Sequence, residues 1–207
     1  VNKDISRPLV TEGNNPDNAT AYDYWDHVDY IIDKAAEKGL YVALVPIWGS
    51  PVKEGKVSVE QAGKYATFLA ERWKDRPNII WLNGGDIKGS DKMEVWEKIG
   101  QTIKSIDHTH LMTFHPRGRT ASSDWFHDRP WLDFNMVQSG HRTYAQDTSA
   151  NEQKHYGEDN WKFMSADWNV KPIKPTIDGE PSYEGIPQGL HDIKQPRWKD
   201  ADVRRYG

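Results

Sequence analysis

The sequence lacks cysteine altogether, has four methionines, and is only 36% apolar over 207 residues. Without Cys there are no disulfides, no thiolate metal sites and no cysteine nucleophile, though the compartment stays open. No apolar run approaches the roughly 20 residues that a membrane-spanning helix needs. The opening Val1-Asn2-Lys3-Asp4 is polar, so no signal peptide is read there. There is no surplus of positive charge either: 27 Lys+Arg against 31 Asp+Glu give a net charge of −4, which argues against a nucleic-acid surface. Gly84-Gly85-Asp86 fits neither the G-x-G-x-x-G nor the Walker spacing, and Ser122-Ser123 lack a G-x-S-x-G elbow. What the chain does have is aromatic side chains: ten Trp, nine Tyr and five Phe. That excludes a disordered polar chain, and flat rings on a polar protein suit stacking against sugars. The length fits one domain with a sizeable core.

The chain reads as a repeating couplet. Tyr24/Trp25, Val28, Ile31/Ile32 and Ala35 mark a helix over about 21–38, stopped by Gly39. The apolar run 40–48 then reads as a strand buried on both faces. A helix near 58–75 leads to a strand at 78–83, and a helix at about 91–106 leads to a strand at 111–115. A looser stretch, 117–131, leads to a strand at 134–138; a helix near 150–166 leads to a strand at 174–178. One short helical segment is read near 199–206. Residues 1–20 read as loop, and the sequon Asn18-Ala19-Thr20 within them is a weak signal. Alternating helices and strands without a linker predict an α/β fold with a parallel sheet and right-handed crossovers. Two closures fit: an open doubly wound sheet, or a (β/α)8 barrel.

In both closures chemistry sits at the C-terminal ends of the strands. Those ends read Trp48-Gly49, Asn83-Gly84-Gly85-Asp86, His115-Pro116-Arg117, Gln138-Ser139-Gly140-His141 and Asp178-Gly179-Glu180-Pro181-Ser182-Tyr183-Glu184. Two carboxylates, Asp86 and Glu180, therefore close two strands. A pair of carboxylates facing one cleft is what glycoside hydrolysis uses: one protonates the leaving oxygen, while the other attacks the anomeric carbon or activates water. Each also has a plainer reading, Asp86 as a cap for the next helix and Glu180 as a partner of Arg117 or Arg142. His115 and His141 are placed to bind sugar hydroxyls or orient a carboxylate, with a buried, internally satisfied histidine as the alternative. Trp48 and Trp125 are candidate stacking platforms, whereas Trp73, Trp81 and Trp96 fall at core positions. Asp107-His108-Thr109-His110 reads as a solvated turn, since it lies at the opposite strand end and a metal needs three or four convergent ligands. A metal-dependent hydrolase would need at least three of His115, His141, Asp86, Asp178 and Glu180 around one ion.

Several separated motifs resemble the apiosidase-like glycoside hydrolases, family 140 and its relatives. They are Tyr24-Trp25-Asp26-His27-Val28-Asp29, Ala35-Ala36-Glu37-Lys38-Gly39-Leu40-Tyr41, Trp81-Leu82-Asn83-Gly84-Gly85-Asp86, His115-Pro116, Asp133-Phe134-Asn135-Met136-Val137-Gln138-Ser139-Gly140-His141 and Asp178-Gly179-Glu180-Pro181-Ser182-Tyr183-Glu184. The resemblance spans about residues 20–206. It implies a (β/α)8 barrel and a retaining glycosidase without cofactor or metal. Asp86, after the fourth barrel strand, would be the acid/base, and Glu180, after the seventh, the nucleophile. It also implies a pectic substrate with apiose-linked side chains on a galacturonate backbone, and by analogy a secreted or periplasmic location. Trp48, Asn83, His115, Arg117, Trp125, Gln138, His141 and Tyr183 are the expected substrate-binding residues, with Arg117 or Arg142 chemically suited to a galacturonate carboxylate.

The sequence also departs from the family pattern. Counting from Asp86, only barrel strands three to seven are recognisable, within a single partial catalytic domain over 1–207. A barrel typically needs roughly 250 residues. The chain is therefore expected to be a piece of a longer protein, completed by the rest of its polypeptide or by a second chain, with apolar strand edges left exposed. The competing reading is a carbohydrate-binding or scaffold barrel without turnover.

Overall fold

The computed structural model describes residues 4–150 and 152–206, and for 204–206 the backbone alone. Val1–Lys3, part of the polar opening read above, lie outside the described residues. In chain order the elements are α1 (Tyr24–Glu37), β1 (Val42–Leu44), α2 (Gly49–Lys53), α3 (Val59–Trp73), β2 (Ile79–Ile87), α4 (Met93–Ile106) and β3 (Met112–Pro116). They continue with β4 (Thr120–Ala121), α5 (Ser123–Phe126), β5 (Asn135–Gln138), a 3-10 turn (Tyr144–Gln146), α6 (Asn160–Trp168), β6 (Thr176–Asp178) and α7 (Asp200–Tyr206). The five predicted strands and their alternating helices are all present. The short α2 and β4 were not predicted, and β2 runs on through Asp86.

The strands form two three-stranded sheets, ordered β1-β2-β3 and β4-β5-β6. β1 pairs with β2 in parallel, Val42 opposite Ile79, and β5 with β6, Asn135 opposite Thr176. Trp81 N donates to Leu111 O and Arg117 N to Ile87 O, so β2 and β3 keep one offset at both ends and are also parallel. Among the described strands β4 alone is antiparallel, to β5. This is the predicted α/β order.

The chain divides into two compact units, 1–83 with 92–112, and 84–91 with 113–207. The strands β2 and β3 begin in the first and end in the second. In the first unit, Asp23 and Ser58 each close a capping box that starts α1 and α3. The apolar stripes of α3 and α4 bury Ala66, Leu69, Trp73, Trp96, Ile99 and Ile103. Trp73, Trp81 and Trp96 are core residues, as expected. In the second unit, Phe114, Phe126 and Trp131 pack in series as tilted rings with centroids 4.7 and 5.0 Å apart.

Two sequence readings need correction. The run 40–48 is not buried on both faces. β1 is an edge strand, and Leu40 and Tyr41 are 60% and 69% exposed. β6 is likewise an edge, with Ile177 exposed. Apolar strand edges are thus open, as the partial-barrel reading expects.

The second correction concerns the turn at 107–110, which is not a solvated turn around its aspartate. Asp107 is buried and accepts from the Trp81 indole (2.8 Å) and from the Thr109 and His110 backbone N–H groups (3.2 and 3.1 Å). The His110 Nδ1 lies 2.7 Å from its other oxygen. Burial pushes this carboxyl up, but the bonds from Trp81 and His110 outweigh that and hold it below the ordinary aspartate value. Asp107→Ala would leave a buried indole N–H without its acceptor, so it is expected to lower stability by about 3 kcal/mol in urea melts. A carboxyl with a depressed folded pKa stabilises above its unfolded pKa, and that contribution fades as pH falls towards the folded value. The variant should therefore show a flatter loss of stability on acidification than the wild type.

Candidate active site

Three consecutive residues at the end of β2 have positive φ: Gly84 (+88°), Gly85 (+135°) and Asp86 (+48°). Gly84 has no room for a side chain, because an added Cβ would stand 2.7 Å from Phe114 and 2.8 Å from the His115 carbonyl oxygen. Positive φ at a non-glycine residue costs on the order of 1 kcal/mol or more, and such strain concentrates at functional sites. Asp86 is exposed, while Gly84, Gly85 and Ile87 beside it in β2 are buried. Asp86 does not cap the next helix, since the N-cap of α4 is Lys92.

The backbone N–H of Asp86 points at His115 Nδ1, 3.2 Å away. The Pro116 carbonyl oxygen is also 3.1 Å from Nδ1, and the two contacts need opposite protonation of that nitrogen. When Nδ1 accepts from Asp86, the proton of the neutral ring sits on Nε2, which faces Glu180 Oε2 at 3.3 Å. One buried imidazole therefore spans the backbone of Asp86 and the carboxylate of Glu180.

Glu180 has two further neighbours. Tyr183 donates to Oε1 at 2.5 Å. His141 Nε2 stands 3.6 Å from Oε1, a close approach rather than a formed hydrogen bond. The His141 and Tyr183 rings lie 4.4 Å apart, so each limits the other's rotation. Donation from His115, the nearby His141 ring and the Tyr183 hydroxyl hold the Glu180 carboxyl far below the usual glutamate range, against the opposing effect of burial. Glu180 is thus an anion at any ordinary pH. Burial, with the neighbouring Glu180 charge, pushes the Tyr183 phenol up, which keeps it a donor. The plainer reading of Glu180 does not hold: Arg117 and Arg142 instead flank Glu152, at 3.6 and 2.7 Å. His115 and His141 approach different oxygens of Glu180 rather than one point, and among the described residues no three His, Asp or Glu groups are arranged to hold a metal ion.

The other predicted residues are placed as follows. Gln138 ends β5, buried, with its Oε1 lacking a hydrogen-bond partner among the described residues. Arg117 and Trp125 line a cleft of about 300 Å3 together with Lys88, Asp124, Glu152 and Lys154. Asn83 is fully buried in the first unit, where its side-chain amide donates to the Trp96 carbonyl of α4 at 2.9 Å. Trp48 precedes α2, also in the first unit, and is 46% exposed. Sequence reasoning missed Lys88 and Lys154, which look there like any solvated lysine. It also missed the role of Arg119, which is buried against Asp147 and Phe163 beneath the same cleft.

The model of the apiosidase-like catalytic domain matches residues 2–207. The chain belongs to that family. A glycoside hydrolase family 5 crystal structure from Bacteroides vulgatus ATCC 8482 is 55% identical, with a TM-score of 0.87, over 95% of this chain and 43% of that one. A second solved glycoside hydrolase is 56% identical at the same TM-score, over 95% of this chain and 46% of that one. A putative glycoside hydrolase from Bacteroides vulgatus ATCC 8482 shares the fold at 18% identity and a TM-score of 0.53, over 78% of this chain and 29% of that one. No curated protein matches. The apiosidase-like chain described here thus spans less than half the length of its two 55–56% identical neighbours.

Proposed function

We propose that this apiosidase-like domain belongs to a retaining glycoside hydrolase, with Asp86 as acid/base and Glu180 as nucleophile. The observation that carries the reading is His115, which meets the Asp86 backbone through one ring nitrogen and the Glu180 carboxylate through the other. Two carboxylate-bearing strand ends are thereby tied to one point. Their environments also differ. Glu180 is embedded among donors and stays ionised, as a nucleophile must. Asp86 is turned outwards on a strained backbone, where it can exchange protons with a leaving group and with water.

In this mechanism Asp86 gives its proton to the glycosidic oxygen while a Glu180 oxygen attacks the anomeric carbon. The C–O bond to the leaving group breaks and a glycosyl-enzyme ester forms. Asp86, now a carboxylate, takes a proton from water; the hydroxide equivalent displaces Glu180, and both groups return to their starting states. Gln138 and His141 are assigned to sugar hydroxyls, and Trp125 to stacking. Arg117, beside Lys88 in the cleft, suits the carboxylate of a uronic acid. The proposed substrate is accordingly a pectic side chain, apiose-linked to galacturonate. A polymer of that size places the reaction outside the cytoplasm, in the periplasm or beyond.

The test is the stereochemistry of the first product, followed by proton NMR on a pectic oligosaccharide with the protein expressed from its complete reading frame. The reading expects the released sugar to appear first as the anomer of the substrate. Inversion would remove Glu180 as nucleophile. Tight binding with no product would favour a carbohydrate-binding barrel instead.

A further inference from the structure

The turn that carries Glu180 is fastened to the turn that carries His141, and one side chain makes the junction. Asp178 ends β6, opposite Val137 of β5. Its Oδ1 accepts from two backbone N–H groups, that of Ser139 and that of Glu180, each at 3.3 Å. The first bond crosses from the end of β6 to the end of β5. The second closes a local turn over Gly179, of the kind aspartate forms two residues ahead of itself. Gly179 N donates to Val137 O (2.9 Å) and Gly140 N to Glu180 O (3.1 Å), so the parallel ladder continues on both sides of the junction. Ser182 adds a bond from its hydroxyl to the Gly140 carbonyl oxygen. Glu180 is therefore held at both its backbone N–H and its carbonyl, and His141 follows directly on Gly140.

Space reinforces the turn. A Cβ at Gly179 would run into the buried Met136 side chain, which packs directly beneath it. The second Asp178 oxygen, Oδ2, is buried without a hydrogen-bond partner among the described residues, and so is the Ser139 hydroxyl. Burial pushes the Asp178 carboxyl up, and the nearby Glu180 charge adds to that, while Ser139 and the Glu180 N–H oppose it. Nothing in the hydrolytic mechanism uses this carboxyl.

We propose that Asp178 is a positioning residue, tying the Glu180 turn to the His141 turn and so aiming the Glu180 carboxylate at the reacting carbon. This rests on Glu180 being the nucleophile. A nucleophile must stand within about 3–3.5 Å of its target in a defined direction, and a displacement of about 1 Å can cost 10²-fold.

The experiment compares Asp178→Ala, Asp178→Asn and Glu180→Gln in the complete polypeptide, measuring kcat, KM, the pH profile and the melting temperature. Asp178→Ala is expected to lower kcat about 100-fold, with KM changed by less than about 3-fold. Its acid limb should lie at higher pH than that of Asp178→Asn, which removes the same charge, because the freed turn no longer holds the Glu180 carboxylate against the His115 and Tyr183 donors. A merely structural role would reduce the amount of active enzyme without moving that limb. Asp178→Asn keeps an oxygen that accepts the same two N–H bonds, so most of the kcat should return. Should Asp178→Ala fail to fold, Asp178→Glu carries the test: it keeps the charge, shifts the acceptor by one methylene, and should show the same kcat loss. Wild-type kcat in Asp178→Ala or Asp178→Glu, with Glu180→Gln inactive, overturns the positioning role. Asp178→Asn as impaired as Asp178→Ala overturns the hydrogen-bond tie. Activity in Glu180→Gln overturns the nucleophile assignment itself, a separate result.

Discussion

Glu180→Gln is expected to lower kcat by at least about 10⁴-fold, or roughly 5.5 kcal/mol of transition-state stabilisation, while the protein still folds. The size follows from what the substitution removes. Glutamine matches glutamate in shape, and its amide oxygen can still accept from Tyr183. But an amide oxygen is neutral and cannot form a glycosyl ester that water then hydrolyses. The negative charge that His115, His141 and Tyr183 hold in place is also lost, and with it the stabilisation of an oxocarbenium-like transition state. The variant should therefore lose kcat far more than it raises KM. Its stability should change by less than about 2 kcal/mol, because what it loses is charge-assisted hydrogen bonding at a partly solvated site. The sign with pH is fixed. A carboxyl with a depressed folded pKa contributes stability above its unfolded pKa and loses it as pH falls towards the folded one. Glu180→Gln should flatten that acid-side dependence. Steady-state kinetics with thermal melts from pH 3 to pH 8 would check both halves, and turnover near wild type would take Glu180 out of the nucleophile role.

The parts of this site that the sequence made legible are those set by the strand ends. A parallel α/β order sends polar groups to one end of the sheet, and Asp86, His115, His141 and Glu180 could be placed there from apolar runs and the residues following them. What could not be read were properties that depend on neighbours distant in the chain. The run 40–48 is apolar enough for a doubly buried strand, yet only Val42–Leu44 of it forms β1, and Leu40 and Tyr41 before it are exposed. Asp107 reads as a polar turn residue; it is buried because Trp81, 26 positions earlier, brings it an indole N–H. Asn83 looks like a ligand-binding amide by position; its full burial and the bond from its amide to the Trp96 carbonyl of α4 depend on a helix that follows it in the chain. Asp178 carries no motif that marks a hydrogen-bond junction, since one of its two partners is Ser139 on another strand. The positive φ at Asp86 is signalled only indirectly, by the two glycines before it.

Asp86→Ala is the second large effect, and its dependence on the leaving group distinguishes an acid/base residue from a merely nearby carboxylate. On a natural glycoside the leaving alkoxide needs a proton, so removal of the acid is expected to lower kcat/KM by about 10²–10⁴-fold. On an aryl glycoside with an acidic phenol the first step needs little help, and the loss there should shrink to less than about 10-fold. The second step still lacks its base. The glycosyl-enzyme should then accumulate, seen as a burst of phenol and a covalent mass increase on the intact protein. Azide, an anion that attacks without surrendering a proton, should restore turnover and leave a glycosyl azide of retained configuration. His115 should stay in place, because the bond it accepts from Asp86 comes from the backbone and survives the substitution. Near-wild-type activity on the natural substrate, or equal losses on both substrates with no azide rescue, would exclude Asp86 as acid/base and move the search to another proton donor around Glu180.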